Sequence, residues 1–184
     1  MVLGAVLTAL VVILQFLGAF VKFGPFSISL VLVPIIIGSA TCGVGVGTWL
    51  GLVFGFTVLV SGDAGAFLAV HAVGTVITVL LKGAACGLFA GLTYQALHKY
   101  NRYIAVVVSA IVCPVVNTGV FLLGCLAFFM PTLAEWALSL GFGNNTAQYM
   151  IVGLVGTNFL VELGINVVLS PIIVRLLQIK EKQN

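Results

Sequence analysis

The sequence predicts an all-α integral membrane protein: a six-transmembrane-helix bundle with a short second helix and with both N- and C-termini cytoplasmic. Three observations predict it. Of 184 residues, 62% are hydrophobic and 6% charged, with a mean hydropathy of +1.32, whereas a soluble domain averages about 25% charged residues. The apolar residues gather into six runs separated by short polar links. The basic residues crowd onto one set of links, which sets orientation. A chain of this length makes one membrane domain, 1–184. Its net charge of +3 is too small to point to nucleic acid.

The expected spans are about 2–21, 29–41, 43–61, 72–97, 103–130 and 148–177. The first begins Met-Val-Leu-Gly-Ala with no basic n-region, so it reads as a span and not a cleavable signal. About 20 residues cross the hydrocarbon core. The second span falls short of that and reads as broken by Pro34, so a partial, tilted or two-piece crossing is expected. The third and fourth carry small residues four apart, Gly47, Gly51 and Gly55, then Gly83, Gly87 and Gly91. That spacing lets helices approach closely in lipid. The 131–147 link is long enough to hold a helix over 132–140. Lys99, Arg102, Arg175, Lys180 and Lys182 share one side if six spans exist, which makes both termini cytoplasmic. The links 22–28, 61–71 and 131–147 then face outward.

The chemistry concentrates in the sixth span. Asn158, Glu162 and Asn166 recur every four residues in the apolar run 149–177 and so share a helical face. A carboxylate at bilayer depth costs roughly 2.5–3.5 kcal/mol. Lys82 is the cationic candidate at comparable depth, and Asn117 lies in the fifth span three residues after Pro114. At about 1.5 Å per residue, Lys82 and Asn158 lie about 15 Å from the outer face, Asn117 about 20 Å and Glu162 about 21 Å. Four polar groups from three helices thus fall within about two turns of one another. They predict a pocket for a small molecule with an anionic or strongly polar group. The plain alternatives are a structural Lys82–Glu162 ion pair, a Lys82 that snorkels outward, and an Asn166 that joins helices.

Other residues weigh less. Ala5 and Ala9 in the first span form a small-residue step that suits internal packing or a partner helix. Cys42, Cys86, Cys113 and Cys125 lack metal or redox spacing and read as small packing residues. His71 and Asp63 flank an outward link, where a lone histidine such as His71 reads as solvated. Trp49 and Trp136 read as packing or interfacial anchors. Phe23, Phe26 and Ser27 sit where a loop could close over an outward pocket. No catalytic constellation, metal motif or phosphate loop is present, so no cofactor is expected and ATP hydrolysis by this chain is not.

The chain resembles the substrate-binding S-components of energy-coupling factor (ECF) vitamin transporters. The resemblance is carried by Ala5-x-x-x-Ala9, Ile28-Ser-Leu-Val-Leu-Val-Pro-Ile-Ile-Ile-Gly38 and Gly47-Thr-Trp-Leu-Gly-Leu-Val-Phe-Gly55. It continues in Cys113-Pro-Val-Val-Asn-Thr-Gly119, Asn158-Phe-Leu-Val-Glu162 and Asn166-Val-Val-Leu-Ser-Pro171. The Asn-Thr-Gly and Asn-x-x-x-Glu-x-x-x-Asn segments are most similar to the pantothenate branch. The resemblance implies a multi-pass plasma-membrane subunit that captures a vitamin for an ECF-type ABC importer. A transmembrane coupling subunit, docked at Ala5 and Ala9, and two cytoplasmic ATPases would be its partners. Lys82 would meet the substrate carboxylate, Asn117 and Asn158 its amide and hydroxyls, and Glu162 a hydroxyl. The alternatives are an S-component for another water-soluble vitamin, an autonomous carrier with Glu162 as proton relay, and an intramembrane enzyme or adaptor.

Overall fold

The computed structural model describes the backbone of residues 2–182 except 21, 24, 25, 28 and 29, and side chains within that range except 19–29, 157 and 176–182. Helix α1 (Val2–Phe20) leads into two-residue strands, β1 (Lys22–Phe23) and β2 (Phe26–Ser27), paired antiparallel with Lys22 opposite Ser27. The suggestion that Phe23, Phe26 and Ser27 close over a pocket concerns side chains outside the described residues.

Helix α2 (Leu32–Cys42) is continuous. Pro34 falls in its first turn, where no intrahelical partner awaits its nitrogen, so it does not break the helix. Gly43, at φ +93°, alone separates α2 from α3 (Val44–Val60). The reversal needs a backbone angle that glycine adopts without strain. The 61–71 link contains a short helix, α4 (Gly65–Val70), before α5 (Ala72–Leu97) and α6 (Arg102–Phe128). The 131–147 link likewise contains α7 (Met130–Ser139), followed by the single turn α8 (Thr146–Gln148). A π-helical stretch, Tyr149–Gly156, then runs into α9 (Thr157–Lys182).

Helices α3 and α5 pack antiparallel through glycine. A methyl group at Gly51 would sit on the Gly83 carbonyl oxygen, and one at Gly87 on the Gly47 carbonyl oxygen. Side chains therefore could not occupy these positions without parting the helices, which is the close approach the four-residue spacing predicts. Hydroxyls tie the neighbours in: Ser39 Oγ donates to the Gly87 carbonyl at 3.3 Å and Ser109 Oγ to the Ala90 carbonyl at 3.1 Å.

The surface is apolar where a soluble protein's would be polar. Ile13, Phe56, Ile77, Leu123, Leu160 and Val168 are exposed, while Gln15, Asn117, Asn158, Glu162 and Asn166 are buried. Lipid-facing apolar side chains around a polar interior produce this inversion. Helices α5 and α6 and the run Thr146–Arg175 are long and apolar enough to cross a membrane, whereas α2, α3 and the stretch Val2–Gly18 are apolar but shorter.

Candidate functional site

The apolar interior forms two clusters. One joins α1, α2, α3, α5, α6 and α9 around Leu32, Ile35, Leu50 and Phe54. The other gathers Phe67, Phe121, Phe129, Leu133 and Tyr149 from α4, α6, α7 and the π-helical stretch. A cavity of about 80 Å³ lies at their junction, bounded by α3, α4, α5, α6 and α9. Its α4 end is roofed by Phe67, whose ring meets Phe121, Phe129 and Trp136 edge-on at 5.6, 5.0 and 5.6 Å.

Lys82, Asn117, Asn158 and Glu162 all line this cavity. Helical periodicity delivers them. Thr75, Thr78 and Lys82 fall on one stripe of α5, Asn117 and Phe121 on one stripe of α6, and Asn158 and Glu162 on one stripe of α9. The Lys82 ammonium rests between the Phe54 and Phe121 rings, 5.6 and 5.4 Å from their centroids. Cation–π attraction of about 0.5–2 kcal/mol holds it there. Asn117 and Asn158 are 5% and 9% exposed, and the amide oxygen of each has no hydrogen-bond partner among the described residues. The hydroxyl of Thr78, 4% exposed, is in the same state. Unmet buried polar atoms cost about 1–3 kcal/mol each, and this cavity is lined by three residues that carry one, from α5, α6 and α9.

Asn166 does not line the cavity. Its amide donates to the Glu162 carbonyl at 2.9 Å, one turn back in its own helix, and so braces the backbone beneath Glu162. His71 is not simply solvated. Its Nδ1 accepts from the Gly74 amide at 2.9 Å, capping α5, and its ring stacks on Phe128 at 5.6 Å. The lining also includes polar residues that the sequence does not single out as site residues. Asp63 faces the cavity from the α3–α4 link, and Thr75 and Thr78 from α5. The Thr-x-x-Thr-x-x-x-Lys spacing that places the threonines beside Lys82 is readable in the sequence. Ala5 and Ala9 lie on the exposed face of α1, opposite its buried Leu7 and Val11.

Residues 1–174 match the family model for the ECF transporter, substrate-specific component. The chain belongs to that family. No curated protein and no solved structure matches it. As an ECF S-component it is membrane-embedded, takes a small-molecule substrate, and works with the ATPase and transmembrane subunits of an ECF module. A polar cavity inside an apolar bundle suits an S-component, because the substrate must be held where lipid would otherwise refuse it.

Proposed function

We propose that this S-component captures pantothenate in the cavity between α3, α4, α5, α6 and α9, for ATP-driven uptake by its partner subunits. The observation that carries this reading is the convergence of Lys82, Asn117, Asn158 and Glu162 from three helices on one cavity, with amide oxygens awaiting donors. Pantothenate offers one carboxylate, one amide and two hydroxyls. Lys82 meets the carboxylate, Asn117 and Asn158 bond the amide and hydroxyls, and Glu162 accepts from a hydroxyl. The chain acts as one membrane domain of six spans in the plasma membrane, termini cytoplasmic. It binds and does not catalyse; ATP is hydrolysed by the partners.

A second reading is favoured by Asp63. One lysine faces two carboxylates, Asp63 and Glu162, in the lining, which suits a vitamin bearing a cationic group as well as it suits an anion. Equilibrium binding of labelled pantothenate to the purified chain separates the two, with unlabelled biotin, riboflavin, thiamine, folate and pyridoxine as competitors. Saturable binding displaced by pantothenate alone supports the first reading. Displacement by thiamine, or its direct binding in place of pantothenate, supports the second.

A further inference from the structure

Asp63 stands out because its position is built. Gly62, at φ +81°, turns the chain after α3, and the Gly65 amide closes the turn on the Gly62 carbonyl at 3.0 Å. That turn aims Asp63 and the buried Ala64 at the cavity. From α1, Gln15 reaches across and donates its Nε2 hydrogen to Asp63 Oδ2 at 2.9 Å. Gln15 is 1% exposed and lies on the same α1 face as Leu7 and Val11. A buried amide on a carboxylate fixes its orientation while leaving its charge intact.

The neighbouring groups define what this carboxylate can receive. The Thr75 hydroxyl donates to the His71 carbonyl at 2.9 Å, so its proton is already used. Lys82 lies seven residues beyond Thr75 on α5, about 10 Å along the helix axis. The cavity therefore has one carboxylate, Asp63, at its α3–α4 end, and Lys82 with Glu162 deeper in. A ligand that is anionic throughout would set its own charge against Asp63. One that carries an acceptor at the Lys82 end and a donor at the other satisfies both.

We propose that Asp63, held by Gln15, is a specificity-determining residue that selects ligands presenting a hydrogen-bond donor, a hydroxyl or an ammonium, at the α3–α4 end of the cavity. Asp63 touches the ligand; Gln15 is its positioning residue. The inference rests on this cavity being the vitamin site.

Its test uses the full-length chain in lipid nanodiscs, with affinities for whichever vitamin the competition panel identifies. For pantothenate, the ligand-side probe is the analogue with both hydroxyls replaced by hydrogen; for thiamine, it is the analogue with its hydroxyl replaced by hydrogen. Loss of a hydrogen bond to a charged group should weaken binding roughly tenfold or more. That loss is expected for Asp63→Asn with the parent vitamin and for the wild type with the analogue. Combining the two should add less than about threefold to the analogue's own loss, because the analogue no longer offers Asp63 a donor. Gln15→Leu should lower affinity for the parent vitamin and leave that for the analogue within about twofold. Wild-type chain that binds analogue and parent alike overturns the inference without relying on any variant. So does an Asp63→Asn loss that multiplies fully with the analogue's, which marks a general disturbance. In both cases vitamin binding by the wild type leaves the proposed function standing. A wild type that binds no vitamin of the panel overturns the two together.

Discussion

At the scale of single residues, the cavity separates what binds from what stabilises. Lys82→Ala removes the cation and should weaken vitamin binding about tenfold or more, the usual consequence of losing a charged hydrogen bond. Equilibrium binding checks it, and unchanged affinity would remove Lys82 from the site. Asn158→Leu makes the opposite point about stability. The Asn158 amide oxygen has no hydrogen-bond partner among the described residues, so its removal relieves a buried polar atom. The empty variant should melt no lower than the wild type, and binding should fall about tenfold. A variant that melts lower and binds normally would make Asn158 structural. The spacing of Asn158 and Glu162 was legible in the sequence because polar residues stand out sharply in an apolar run. Asp63 was not, because its inward turn depends on Gly62 and on Gln15, 48 positions away. The trace it leaves is Gln15 itself, a large polar side chain on the Leu7–Val11 face of an otherwise apolar helix.

At the scale of elements, the glycine contact between α3 and α5 makes a strong prediction. Gly51→Val would press a branched side chain onto the backbone at Gly83 and should destabilise the chain by about 1–3 kcal/mol, read as a lower melting temperature in detergent. A valine variant that melts like the wild type would show that α3 and α5 can part without cost. His71→Ala should cost about 1 kcal/mol through the lost cap at the start of α5, and an asparagine variant should recover part of it. Most of this layer was legible. Glycines every four residues announce close packing whatever the topology. Helix α2 is short, as expected, but Pro34 does not break it into two pieces, because a proline that breaks a helix interior is harmless in a first turn. The π-helical stretch was invisible. Nothing in the composition of Tyr149–Gly156 sets it apart from an ordinary apolar helix. Its placement just ahead of Asn158 is of a kind with other π-helical segments, which concentrate at functional sites.

For the whole molecule, binding and delivery should be separable. Ala9→Trp puts a bulky ring on the exposed small-residue face of α1. The isolated variant should bind vitamin with wild-type affinity, while vitamin uptake by cells that also supply the ECF module should fall to the level seen without the chain. Loss of both would place α1 in the binding structure, and loss of neither would exclude this face from docking. Composition alone made the membrane class legible, since 6% charged residues cannot clothe a soluble surface. The convergence on one cavity was only partly legible. Matched depths can be counted along each helix, but which stripes face one another is decided by packing.

The backbone contact between α3 and α5 also has a mechanical consequence. Two helices that meet glycine to glycine leave no side chains between them to repack, which is how packed helices ordinarily slide past one another. The pair is in effect a single rigid plate. Lys82, Thr75 and Thr78 are bolted to it through α5, and Asp63 hangs from its edge. If the cavity changes shape around a ligand, the plate is expected to keep its own and the give to fall to the opposite wall, where α9 follows the π-helical stretch.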